Sequence, residues 1–273
     1  MTVNETTTIR SDSQAASAEG GPVLEIENLS KRFGGLVAVA DLSFGVRAGT
    51  ITSLIGGNGA GKTTVFNLLS GYLEPDSGSI LFRGRRIDGL APHEIARTGI
   101  SRAFQELRLF NRLTALDNVL AAIPSQQGEG ILRALLGGRA LKAESKRNTA
   151  RADAVLRNLM LEEHKDTLAE RMSYGQQKLL GLGRLLAAEG ELLLLDEPTS
   201  GLSPAMVEDF CIRMRDLVAA GKTILLIEHT VEIVMRLSDW IIVLHQGRKI
   251  AEGMPDEVRR NVSVMHTYLG ITS

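Results

Sequence analysis

The chain is short of several things that would steer its reading elsewhere. It has a single cysteine in 273 residues, so neither an intrachain disulfide nor a structural zinc site built on cysteines is available. It has no excess of one charge, with 31 Lys+Arg against 32 Asp+Glu and a formal net charge of −1. No global basic field draws it to nucleic acid, which is therefore not an expected partner. No apolar run approaches the roughly 18–20 residues needed to cross a bilayer. Residues 1–21 lack the basic flank and apolar core of a secretory signal. Rich in Thr, Ser, Ala and Glu, they are expected to form a disordered tail. The remainder is long enough for a sizeable core, and the expectation is a soluble, cytosolic protein. Glycine alone is in excess: there are 28, about a tenth of the chain against a usual ~7%.

Short alternating segments between residues 23 and 52, separated by Gly34-Gly35 and Ala48-Gly49, predict an antiparallel β layer. Residues 51–55 predict a buried strand that runs straight into a glycine-rich stretch, and residues 63–70 a helix. A strand is expected at 79–82, after the turn Pro75-Asp76-Ser77-Gly78. Residues from about 114 to 190 read helical, with interruptions at Pro124 and around Gly128 and Gly130. Strands at 191–196, 222–228 and 240–245 then alternate with helices at 204–219 and 230–237, before a short helical tail ending at Gly270. This alternation predicts an α/β fold with a mostly parallel sheet. The helical block, about 106–188, is expected as a subdomain inserted into that sheet. No internal repeat is visible.

The glycine-rich stretch is Gly56-Gly57-Asn58-Gly59-Ala60-Gly61-Lys62-Thr63-Thr64. It matches the P-loop pattern and lies between a predicted strand and helix, as that pattern requires. Glycines let backbone N–H groups turn inward around phosphate oxygens, and the following helix adds the positive end of its dipole. Lys62 is placed to bridge β- and γ-phosphates, and the Thr63 hydroxyl to ligate Mg²⁺. Gly59 and Thr64 complete the cradle. Lys62 occupies the position of the third glycine of a dinucleotide-binding fingerprint, which excludes that reading.

Four leucines, Leu192 to Leu195, are followed by Asp196 and Glu197. The leucines suit a strand buried on both faces. Asp196 at its C-terminal end is a candidate Mg²⁺ ligand, and Glu197 a candidate to orient or deprotonate the attacking water. The same geometry recurs in residues 223–229, where His229 at the end of an apolar strand could contact the γ-phosphate. Ligands gather at the C-terminal edge of parallel strands, so these residues and the P-loop are expected to converge.

A guanine-reading Asn-Lys pair occurs nowhere in the chain. What occurs is Met172-Ser173-Tyr174-Gly175-Gln176-Gln177, ahead of a helical pattern. It resembles the signature motif of ABC-type ATPases, usually Leu-Ser-Gly-Gly-Gln. Ser173, Gly175 and Gln176 are kept; Met172 and Tyr174 depart from it. From about Val23 onward the motifs stand in that family's order: P-loop, Gln105, signature, Asp196-Glu197, His229. The resemblance implies a P-loop NTPase core over residues 22–273 with ATP and Mg²⁺ as cofactors. It implies that Gln105 senses Mg²⁺ and nucleotide and faces a membrane partner. It also implies that Phe33 stacks on adenine, in place of the usual Tyr. Ser173, Gly175 and Gln176 would close on the γ-phosphate held by a second subunit, so that two chains, alike or different, sandwich two ATP. The loop Ser200-Gly201-Leu202-Ser203 commonly ends in Asp, a carboxylate that Ser203 cannot supply.

A finer resemblance is to ATP-binding subunits of bacterial importers for branched-chain amino acids and related amides or urea. Arg32-Phe33-Gly34-Gly35-Leu36, Arg102-Ala103-Phe104-Gln105, Arg108-Leu109-Phe110 and the closing Tyr268-Leu269-Gly270 carry it. It implies two integral-membrane permease subunits, a solute-binding protein acting through them, and a peripheral place at the cytoplasmic face of the membrane. The alternatives are the ATPase of a lipid or polysaccharide exporter and a soluble ABC ATPase outside transport. Residues 131–151 hold six basic side chains, a face that could meet anionic lipid but more simply reads as solvated.

Overall fold

The structure is a computed structural model, and it describes residues 21–103, 109–124 and 138–261. The expected N-terminal tail, Gln105 and the end of the helical tail lie outside the described residues.

Two sheets organise the chain. The first is four-stranded and antiparallel, in the order β2-β1-β4-β5, from β1 (Pro22–Phe33), β2 (Leu36–Arg47), β4 (Ser77–Phe82) and β5 (Arg85–Arg86). The second is six-stranded, in the order β10-β9-β3-β8-β7-β6. It comprises β3 (Ile51–Gly56), β6 (Ile100–Ala103), β7 (Leu192–Asp196), β8 (Thr223–Ile227), β9 (Trp240–His245) and β10 (Arg248–Gly253). All its pairings are parallel except that of β9 with β10. Crossovers between parallel strands need long connections, and helices supply them: α1 (Lys62–Leu69), α2 (Pro92–Thr98), α6 (Pro204–Ala219) and α7 (Val231–Leu237). Helix α8 (Pro255–Arg260) closes the described chain.

The leucines of β7 show why this strand sits inside. Leu192 and Leu194 pack with the β layer and α1, whereas Leu193 and Leu195 pack with the helices on the other face. Period-two alternation with both faces apolar yields a strand covered on both sides. The helical face is formed by α3 (Ala115–Leu120), α4 (Gly138–Asn158) and α5 (Tyr174–Ala187), which follow β6 and precede β7 in the chain. This block is less continuous than its composition predicts. Between α4 and α5 the chain makes only two short 3-10 turns, Glu162–His164 and Ala169–Arg171. There the backbone bonds back across the block, Ala115 N–H to Thr167 O at 3.0 Å and Ala169 N–H to Leu113 O at 3.0 Å. Of the basic stretch, Lys142, Lys146 and Arg147 are exposed, while Arg151 is tied to Glu189 at 2.6 Å and to the Ala187 carbonyl at 2.8 Å.

Strand register brings the expected chemistry to one edge. Gly56 pairs with Leu244, Leu54 with Ile227, and Asp196 with Ile227. The loops after β3, β7 and β8 therefore leave the sheet at the same level.

Candidate functional site

The P-loop links β3 to α1, and its glycines divide into two kinds. A Cβ at Gly56 would run into the Leu244 carbonyl oxygen, and one at Gly61 into that of Ala38. Gly61 also sits at φ +102°, where only glycine is at ease. These two are demanded by the approach of neighbouring backbone. Gly57 and Gly59 are exposed, and a Cβ on either would meet nothing within 4 Å. They leave open the space that a phosphate group needs. The loop is tied from outside by Gly247 N–H to Ala60 O at 3.0 Å. Asn58 and Thr63 are exposed, Thr64 is half-buried, and Ala60 is buried.

Lys62 is 6% exposed. Its Nζ donates to the carbonyls of Gly56 at 2.8 Å and Gly57 at 3.0 Å. Burial lowers its pKa, and the charges of Glu197 and Asp196 oppose that shift. Asp196 is itself buried, which raises its pKa, and the Arg102 cation is the main force against the shift. Arg102 Nη2 stands 3.8 Å from the carboxylate, beyond hydrogen-bond range. Its Nη1 instead holds Asn67 and Ser70, each at 2.7 Å.

Glu197 follows β7 with φ +48°, a left-handed conformation that costs a non-glycine residue roughly 1–2 kcal/mol. Its amide bonds the Ile227 carbonyl at 2.9 Å. Its Oε1 lies 2.6 Å from Nε2 of His229. The two residues expected at the ends of separate strands thus form a direct pair. Both side chains are partly open to solvent.

Ser173 caps the N-terminus of α5 rather than facing free space. Its hydroxyl accepts from the Gln176 amide at 3.3 Å, and Gln176 Oε1 accepts from the Ser173 amide at 2.9 Å. This reciprocal pair is a capping box. Gln176 Nε2 also meets His164 Nε2 at 2.8 Å. Gly175 is buried against the end of the Met206 side chain of α6, which would have to move to admit a side chain there. Ser203, where the resemblance leads to Asp, caps α6 by accepting from the Met206 amide at 3.4 Å. A serine serves that local purpose as well as a carboxylate does.

Phe33 ends β1 and is 46% exposed, with Lys31 Nζ 5.9 Å from its ring centre. Asp76 fixes this end of the strand, taking the Lys31 ammonium at 2.8 Å and the Arg32 amide at 2.7 Å. Those bonds hold the Asp76 pKa below its usual value, the Lys31 bond most strongly. Read in sequence, Asp76 had no role beyond a turn. Nor did the sequence single out Glu228 or Lys178, which border the site. Nothing short of the folded contacts could have found them.

The chain is similar over most of its length to known ABC transporter proteins. The model of the ABC transporter family matches residues 39–200. The high-affinity branched-chain amino acid transport ATP-binding protein LivG of Salmonella typhimurium is 41% identical over 254 residues, which cover 91% of this chain and 98% of that one. The corresponding protein BraF of Pseudomonas aeruginosa is 39% identical over 250 residues, with 91% and 98% covered. Among solved structures, the ADP conformation of an ATP-binding cassette of an ABC transporter superposes with a TM-score of 0.78 at 32% identity. The match covers 91% of this chain and 99% of that one. A P-loop and a buried acidic strand end on one sheet edge, with relatives matched over nearly their whole length, place this chain in the ABC transporter family of nucleotide-binding ATPases.

Proposed function

We propose that the chain is the ATP-hydrolysing subunit of an importer for branched-chain amino acids or a closely related small polar solute. The observation that carries the mechanism is the Glu197–His229 pair at 2.6 Å, on the same sheet edge as Lys62 and Asp196. What supports the solute class is the similarity to LivG and BraF.

Lys62 exchanges its two carbonyl partners for β- and γ-phosphate oxygens, which are stronger acceptors for a buried ammonium. The backbone amides of Gly57 to Thr64 and the N-terminus of α1 surround the phosphates. The donors near the phosphates, the Thr63 hydroxyl and the Asp196 carboxylate, are hard oxygens and fit Mg²⁺. Asp196 is buried, with the Arg102 cation 3.8 Å away and no hydrogen bond between them, so a metal ion's charge would stabilise its carboxylate further. When bound, Mg²⁺ neutralises the developing charge on the phosphate oxygens. Glu197 takes a proton from the attacking water, with His229 Nε2 fixing the carboxylate and reaching towards the γ-phosphate. Gln105 is the expected Mg²⁺ and nucleotide sensor. The signature turn at Ser173, Gly175 and Gln176 completes the site of a second copy or homologue, so that each ATP is shared by two chains.

No helix among the described residues is long and apolar enough to cross a membrane. Two permease subunits then supply the path, a solute-binding protein the specificity, and this chain sits at the cytoplasmic face against them. Reconstituted in vesicles with those partners, the chain should drive ATP-dependent uptake of labelled leucine, isoleucine or valine. Uptake that proceeds equally without it, or ATP hydrolysis answering only to another solute class, would overturn the reading.

The exposed Phe33 ring supplies the adenine platform. Base stacking on an aromatic is worth about 1–3 kcal/mol, so Phe33→Ala should weaken ATP binding by about 5- to 150-fold. Phe33→Tyr should keep it. An inorganic triphosphate competitor, which has no base, should bind both variants equally; unequal binding would place Phe33 elsewhere than under the base.

A further inference from the structure

The turn from Glu197 to Ser200 carries the carboxylate read above as the base, with Glu197 itself in a left-handed conformation. Such a conformation lasts only where the surroundings over-determine it. Two charged side chains from different elements do so. From the second turn of α5, Lys178 Nζ donates to the carbonyls of Glu197 at 3.1 Å, of Pro198 at 3.2 Å, and of Ser200. From the end of β8, Glu228, 3% exposed, accepts from the Thr199 amide at 3.0 Å and the Thr199 hydroxyl at 2.5 Å. Its other oxygen accepts from the His229 amide at 3.1 Å.

The division of labour follows from the chemistry of the two groups. An ammonium has three protons and no acceptor, and here it takes three carbonyls. A carboxylate only accepts, and it takes the turn's amide and hydroxyl together with the backbone of the residue that pairs with Glu197. A buried carboxylate is tolerated when it is bonded on both oxygens and faced by a cation. Burial lowers the Lys178 pKa, while the charges of Glu228 and then Glu197 hold the ammonium form. A second contact joins the same two segments: the Tyr174 ring, in the first turn of α5, lies where a side chain on Gly201 would be.

We propose that Lys178 and Glu228 are paired positioning residues for hydrolysis, holding the Glu197–Ser200 turn from two separate elements so that the base stays aimed at the attacking water. Because Lys178 rides on the helix that Ser173 caps, the placement of Glu197 depends on where that helix stands. The proposal rests on Glu197 being the base.

The test uses the full chain, reading steady-state ATP hydrolysis, binding of a non-hydrolysable ATP analogue and thermal unfolding. Lys178→Met should lower kcat by about 30- to 100-fold while leaving analogue affinity within about twofold, because misplacing a reacting group costs rate rather than ground-state binding. Lys178→Arg should restore part of the rate. Thr199→Val keeps the shape and deletes one bond to Glu228; it should lower kcat by about 3- to 10-fold with unchanged affinity. It carries the test alone if Lys178→Met does not fold. Turnover within twofold of the unmodified chain in the folded variants, or a loss of kcat matched by an equal loss of binding, would overturn the proposal. If Glu197→Gln itself keeps full turnover, the assignment of the base fails instead, and the two failures are distinguishable.

Discussion

Glu197→Gln should bind ATP with an affinity within about twofold of the unmodified chain and hydrolyse it about 10²- to 10⁴-fold more slowly, the usual contribution of a positioned general base. The substitution is nearly isosteric and spares the backbone bond from the Glu197 amide to Ile227. The amide oxygen can still face His229 Nε2, so the pair that measures 2.6 Å keeps its geometry. What disappears is the capacity to accept a proton. The contacts expected to hold the phosphates come from Lys62 and the loop amides, which this change does not touch. ATP should therefore persist at the site, and two chains held together by ATP and Mg²⁺ should survive gel filtration as a dimer. Rapid turnover in this variant would remove Glu197 from the role of base. A monomer in saturating ATP would count against the shared site.

Lys62→Ala should have the opposite signature, with binding lost along with hydrolysis. Hydrogen bonds to charged groups contribute about 1.5–3 kcal/mol each, so losing the two that reach β- and γ-phosphates should weaken ATP affinity by about 10²- to 10⁴-fold. In the structure Nζ spends its protons on the Gly56 and Gly57 carbonyls, at 2.8 and 3.0 Å. Removing it also takes a cation away from Asp196 and Glu197, whose charges sustain the ammonium against burial. The unfolding temperature should fall modestly: Gly57 is open to water, which replaces its lost donor, whereas the buried Gly56 carbonyl loses its Lys62 partner. Calorimetric titration with ATP measures the first expectation and a thermal melt the second. Affinity within about fivefold of the unmodified chain would show that Lys62 stays on its own loop when nucleotide binds.

Much of the scaffold was legible because its causes are local. The β7 leucines declare a strand covered on both faces, and the structure assigns them alternately to the two cores. Elements that escaped the sequence are short or lie at a sheet edge. Strand β6 has four residues and α2 has seven, too few for a period to register. Strand β10 reads Arg-Lys-Ile-Ala-Glu-Gly and is held by antiparallel pairing with β9 rather than by an apolar pattern of its own.

The sequence by itself determined the local patterns on which the proposed phosphate chemistry rests: a glycine-rich loop ending in Lys62 and Thr63, and an acidic pair closing a buried strand. Spacing along the chain dictates these, since neighbours in sequence share a strand, a turn or a helix end. Tertiary structure alone decided that Glu197 and His229, 32 residues apart, would touch. It likewise decided that Asp76 would brace the end of β1 and that Lys178 and Glu228 would close on one turn. A lone Lys or Glu in a sequence most often means a solvated face. Whether it turns inward depends on which acceptors a distant segment leaves unsatisfied, and folding settles that by bringing buried polar groups and their partners together.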